Sequence, residues 1–154
     1  MKVQKQKLLI EQLDRKMQLL KPLDSVTIPS QGWIFTIRTA LGMSLRQLAL
    51  RINITAQSMK EIENREVEGG LTLKGLNEVG KALNMRFVYG FIPLDDSIEK
   101  MIEKQALKIA KEVVWRTSNS MSLEDQENNQ IRLEKAVKSR MEEIKNEIPR
   151  YLWD

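Results

Sequence analysis

Two helix starts fall close together between Ser44 and Arg65, and no other stretch restricts the fold as tightly. Leu45, Leu48 and Ala49 recur at helical spacing after Ser44, and Met59 and Ile62 do the same after Thr55. Each segment therefore has one apolar face and a Ser or Thr placed to cap its first turn. Between them Asn53 sits where the chain must reverse, and Asn tolerates the left-handed conformation better than any residue except Gly. Ile54 plugs the corner. Two short helices must meet there at a tight turn.

A helix, a tight turn and a second helix at a steep angle form the helix-turn-helix, whose second helix enters the DNA major groove. Gln57 lies within a turn of the Thr55 cap and points out of the bundle. Gln pairs in bidentate fashion with adenine N6 and N7, for about 1–3 kcal/mol of discrimination, and is the first choice for base readout. Ser58 and Lys60 are placed to reach a base or a phosphate, and Thr55 divides its hydroxyl between capping and phosphate contact. Arg38, Arg46, Lys60 and Arg65 are the phosphate candidates. Glu63 and Asn64 read as structural partners of nearby backbone or arginine groups.

A chain of 154 residues suits one domain, or a small domain with long flanking helices. Hydrophobic residues make up 42% and aromatics 5%, a balance that favours Leu/Ile/Met helical cores over a β-sandwich. Without Cys or His, thiol chemistry, disulfides and metal sites built on those ligands are excluded, and no cofactor is expected. A catalytic base or nucleophile would have to come from carboxylates, lysines or serines. None cluster in a recognisable spacing, so the chain is not expected to be an enzyme. Asp95 and Asp96 stand at a helix start, where acidic groups stabilise exposed amides. No signal-peptide core or long apolar run is present, which predicts a soluble, cytoplasmic protein without a membrane partner.

In chain order, residues 1–29 read as an amphipathic helix with Leu9, Ile10, Leu13, Met17 and Leu20, closed at Pro22 and followed by an extended linker. Residues 1–21 hold six basic and two acidic groups; these read as a solvated outer face or as a phosphate-contacting arm. Residues 30–93 form the central domain. A helix opening at Ser30 or Gln31 carries Trp33, Ile34, Ile37 and Leu41 and stops at Gly42. Glu66 to Gly70 reads as a loop, and Thr72 caps a further helix ending at Asn84. Arg86–Ile92 is short, aromatic and β-branched, and predicts the one strand. Its partner is either its own copy in a second subunit or residues 24–28. Residues 94–154 return to helix, with Ile98 to Val113 on one face and then Leu133, Val137, Met141, Ile144 and Ile148 before Pro149. The terminal Tyr151 and Trp153 are expected to dock.

With these residues in place, Ser-x-x-x-Leu-Ala, then Asn-Ile-Thr, then Gln-Ser-Met-x-x-Ile-Glu-Asn resembles the phage repressor and Cro-like helix-turn-helix family, also called xenobiotic response element-like. The run Trp-Ile-x-x-Ile-Arg-x-Ala-Leu-Gly-Met-Ser-Leu-Arg-Gln-Leu-Ala, the segment Arg-Phe-Val-Tyr-Gly-Phe-Ile-Pro and the ending Tyr-Leu-Trp-Asp resemble the bacterial family called mobile mystery protein A. The resemblance implies an all-α, lambda-repressor-like bundle with one short β-strand and long N- and C-terminal helices. It places DNA contacts at Thr55, Ala56, Gln57, Ser58, Lys60 and Glu61. Relatives carry a phosphate-contacting Gln at the first position of the opening motif helix. Here that position is Leu45, with Arg46 and Gln47 following.

Members of that family are encoded beside a Fic-domain protein, so the resemblance further implies an antitoxin-like repressor of a two-gene module, dimeric on a palindromic operator. The alternative is an inhibitor of the Fic-domain partner that works through residues 94–154. Ser120 and Glu124 resemble the Ser-x-x-x-Glu pattern of Fic inhibitors; the plainer reading makes Ser122 a helix cap with Asp125 three residues on.

Overall fold

The computed structural model describes residues 2–118 and 126–154. Among them the chain is helical: α1 (Lys2–Leu20), α2 (Trp33–Ala40), α3 (Leu45–Arg51), α4 (Ala56–Glu68), α5 (Leu73–Ala82), α6 (Ile98–Ser118) and α7 (Gln126–Glu147). Short 3-10 turns lie at Lys21–Ser25 and Arg150–Trp153, and no helix is long and apolar enough to cross a membrane among the described residues. The all-α class follows. The strand expected at Arg86–Ile92 is not formed. Those residues make no ladder, either with residues 24–28 or with any other described segment. A strand exists only through a neighbour's backbone groups, and among the described residues none are offered.

The chain divides into two compact units, Leu23–Gly90 and Met1–Pro22 with Phe91–Asp154. The N-terminal helix, read from sequence as a region of its own, thus shares a unit with the C-terminal helices.

In the unit Leu23–Gly90, Ile34, Leu48, Ala49, Met59, Val79, Ala82 and Leu83 form the buried core, and Ile37, Ile52, Ile54 and Ile62 pack against it. Ser44, Thr55 and Thr72 each accept a hydrogen bond from the backbone N–H three residues on, capping α3, α4 and α5. α2 has no such residue. Gly32 stands at its N-cap, and the carboxylate of Glu66 on α4 takes the amides of Trp33 at 2.6 Å and Ile34 at 2.8 Å. Gly32 has φ 84, and a Cβ there would lie 2.5 Å from Glu66 Oε2, so glycine is needed for both backbone and space. The loop expected from Glu66 is helix instead: α4 runs to Glu68 and stops at Gly69 in the left-handed conformation.

In the other unit, Ile102, Ala106 and Ala110 of α6 meet Met141 and Ile144 of α7, with Leu152 buried beside them. Ala at these positions lets the helices approach closely. Tyr151 and Trp153, expected to dock, are exposed; Leu152 between them is the residue that anchors the chain end. Ile10 of α1 packs on the same cluster, yet no α1 residue is fully buried. Leu13, Met17 and Leu20 are likewise half-buried along the same stripe, and polar contacts add to the attachment. Asp14 accepts the amides of Ile98 at 2.7 Å and Glu99 at 3.3 Å, capping α6 from across the unit, and Lys21 pairs with Asp96. Asp95 and Asp96, expected to serve the α6 amides, bind lysines instead: Lys104 holds Asp95, while Lys21 and Lys100 hold Asp96. The hydrogen bond from Lys21, and then the charges of Lys21 and Lys100, hold the Asp96 carboxyl below its ordinary value.

Lys145 of α7 lies 3.1 Å from Glu103 and 3.5 Å from Glu99 of α6. The hydrogen bond to Glu103 raises its ammonium above the ordinary 10.5. A raised folded-state value adds stability below 10.5 that is lost as pH climbs through the higher value. Thermal melts across the alkaline range should show the wild type losing an advantage over Lys145→Gln that it holds at neutral pH. Asp14→Ala removes one of two caps on α6, since Ser97 also accepts the Lys100 amide; it should cost about 0.5–2 kcal/mol in urea unfolding.

Candidate nucleic-acid interface

α3 and α4 are joined by residues 52–55, and the turn is closed by backbone bonds that converge on the end of α3. The amides of Ile52 and Ile54 both reach the Ala49 carbonyl, at 3.2 and 3.0 Å, and Asn53 takes φ 55 as its position demands. Leu48 and Met59 are fully buried on facing sides, so the angle between the helices is fixed by packing. Arg51 adds a tie from α3 to the Ala82 carbonyl at the end of α5, 3.0 Å away.

On α4 the inner face is Met59, Ile62 and Glu63, and the outer face is Gln57, Lys60, Glu61 and Asn64 at helical spacing. Gln57 is exposed and has no partner among the described residues. Thr55 and Ala56 are exposed at the helix start. The Thr55 hydroxyl accepts the Ser58 amide at 3.1 Å and donates to the Ser58 hydroxyl at 2.9 Å, so both side chains are engaged and Ser58 is half-buried. Lys60 sits 6.0 Å from the ring of Phe35 on α2, a cation–π contact that restrains its stem. Glu61 and Arg65 are exposed and 3.9 Å apart, a loose pair worth little in water.

On α3, Arg46 is exposed and without a partner among the described residues. Gln47 completes a capping box: its Oε1 accepts the Ser44 amide at 2.7 Å while its own amide donates to Ser44 Oγ at 3.1 Å. Its Nε2 protons remain outward.

Arg38 departs from expectation. It is 9% exposed, with Nε and Nη2 donating to Glu63 at 2.5 and 3.3 Å and Nη1 to the Met43 carbonyl at 2.8 Å. Each nitrogen of the guanidinium thus has an acceptor, and the Phe35 ring lies 5.3 Å from it. Arg38 is an internal strut and not a phosphate contact. Glu63 has the structural role read from the sequence. Ser120 and Glu124 lie outside the described residues.

Asn64, read from the sequence as a structural partner, is exposed and without a partner among the described residues, and Phe35, not singled out by the sequence, lies half-buried beside the same face. Phe35 was legible in principle, as an aromatic off the Ile34–Ile37 stripe of its helix. The assembled surface offers amide and ammonium donors from one helix, flanked by Arg46 and Arg65, over a rigid scaffold. No family model, curated protein or solved structure matches the chain.

Removing Glu63 would leave the Arg38 charge buried with one carbonyl. Glu63→Ala should lower unfolding free energy by about 3–5 kcal/mol, and Arg38→Met with Glu63→Leu should recover much of it. Denaturant titration of the three proteins reads both effects.

Proposed function

We propose that the chain is a sequence-specific regulator that binds double-stranded DNA through a lambda-repressor-like helix-turn-helix, with α4 in the major groove. One observation carries this: α4 is fixed at its start by Thr55 and along its inner face by Met59 and Glu63, while Gln57, Lys60 and Asn64 face outward together. A rigid helix with an unengaged polar face is what direct readout requires. Gln57 reads an adenine edge, the Ala56 methyl suits a thymine, Glu61 accepts from a cytosine amino group, and Lys60 reaches a base or phosphate. Arg46, Gln47 and Arg65 position the backbone.

A homodimer would set two such helices in successive major grooves about 34–36 Å apart, on a palindromic operator. The resemblance to the mobile mystery protein A family supports autoregulation of a two-gene module that includes a Fic-domain partner.

Fluorescence anisotropy at physiological salt, with upstream DNA against a scrambled duplex, tests the reading. Clear preference for the upstream DNA is expected, and equal weak binding to both overturns it. Gln57→Ala should relax preference at one operator position by about 1–3 kcal/mol. Lys60→Ala, if its contact is to phosphate, should weaken binding to every sequence and reduce the salt slope by about 1.

A further inference from the structure

We infer that the groove along α6, between the lysine row Lys104, Lys108 and Lys111 and the indole of Trp153, is a docking site for an acidic, amphipathic peptide segment of a partner protein. The groove belongs to the unit Met1–Pro22 with Phe91–Asp154 alone, and nothing in it depends on the DNA-binding reading. It encloses about 580 Å³, room for a few side chains of a bound segment. Lys104, Lys108 and Lys111 stand at successive turns of α6 and share one face. Asp95, the one acid among the described residues that line the groove, is taken up by Lys104 at 3.0 Å. Lys108 and Lys111 are exposed and without a partner among the described residues, and the neighbouring Glu112 pairs with neither. Two uncompensated cations one turn apart therefore border the groove.

The apolar part of the groove is held in place by the fold. Met101 and Leu107 are half-buried on α6, and Trp153 is 57% exposed although Leu152 beside it is completely buried. The buried leucine anchors the turn Arg150–Trp153, so the indole offers a large apolar area at little cost in lost freedom. Trp115, one turn beyond Lys111 and 64% exposed, continues the lysine face. Trp and Met are enriched where protein partners meet, and desolvated indoles carry a large share of the binding energy there. The charges select the occupant. Carboxylates one turn apart on a helical segment meet Lys108 and Lys111 singly, while an apolar side chain of the same segment enters between Leu107 and Trp153. Gln105, half-buried in the groove and without a partner among the described residues, offers a donor and an acceptor to the peptide. Lysines and indoles also suit single-stranded nucleic acid. Here, however, no arginine lines the groove, and the carboxylates of Asp95 and Glu112 flank the lysine row. Separated carboxylates of a peptide tolerate that better than a continuous row of phosphates does.

Random dodecapeptides displayed on phage and panned against the 154-residue chain supply the probe. Enriched sequences should carry Asp or Glu at helical spacing together with a large apolar residue. In fluorescence anisotropy at physiological salt, the enriched peptide should lose at least about tenfold in affinity for Trp153→Ala, and as much for Lys108→Glu with Lys111→Glu. Trp153→Ala leaves the Leu152 anchor in place, so its circular dichroism melt should match the wild type. The charge-reversed protein should in turn prefer the same peptide with Lys in place of its acids, a switch that an unfolded variant cannot make. Carbodiimide coupling, which joins carboxylates to lysine amines, should attach the wild-type peptide to Lys108 and Lys111. Panning that enriches nothing or no acidic pattern, unchanged affinity in both variants, or no switch of preference on charge reversal would overturn the inference. So would displacement of the peptide by an equal concentration of oligothymidylate, which would make the groove a single-stranded nucleic-acid site instead.

Discussion

Two carboxylates one turn apart on α4 decide where α2 lies. Glu63 holds the buried guanidinium of Arg38, and Glu66 takes the first amides of the same helix. Burying a charge is costly, so once Arg38 is inside only a geometry that returns its hydrogen bonds is tolerated. Here each of its three nitrogens has an acceptor, with Glu63 on two and the Met43 carbonyl on the third. The Met43 contact also fixes the bend just before Ser44, where α3 begins. Position and direction of α3 and α4 thus follow from one ion pair and the packing of Leu48 on Met59.

That arrangement explains which parts of the fold were legible in the chain. Ser44, Thr55 and Thr72 cap the helix immediately following them, so three helix starts could be read within four residues each. Asp14 and Glu66 perform the same chemistry for α6 and α2 from elements distant in sequence, and no local pattern announces that. Arg38 reads from the sequence as a phosphate contact for a related reason. An arginine beside apolar residues reads as a surface cation until its partner, twenty-five positions on, is known to face it. Glu66 looked like a loop residue because glycines follow it, yet the helix ends only where Gly69 supplies a left-handed φ.

The second unit shows the limit of periodicity as a guide. The stripe on α6 and α7 correctly marked Ile102, Ala106, Ala110, Met141 and Ile144 as core. It also extended to Ile148, which lies beyond the helix with φ 45, a conformation β-branched residues adopt at a cost of order 1–3 kcal/mol. The position is held because Ile148 packs on the core and its amide bonds the Ile144 carbonyl at 2.9 Å, after which Pro149 turns Leu152 inward. At the chain end the conspicuous residues are Tyr151 and Trp153, but size alone does not say which side chain faces inward. The short turn at Arg150–Trp153 buries the middle one.

Gln47 shows how a structural bond can fix an outward donor. Its Oε1 faces the Ser44 N–H, an interaction only the oxygen can make, so the amide plane is set and Nε2 points away from the helix start. A free glutamine would lose rotamer freedom on meeting a phosphate, and that loss weakens binding. In a capping box the loss has already occurred on folding, offset by the cap itself. Arg46 next to it is unrestrained and gains the stronger charge-assisted bond at a greater entropic cost. On the DNA-binding reading the two neighbours therefore differ in kind: Gln47 contributes a fixed donor that defines the register of α3 on the backbone, whereas Arg46 contributes affinity that falls with salt.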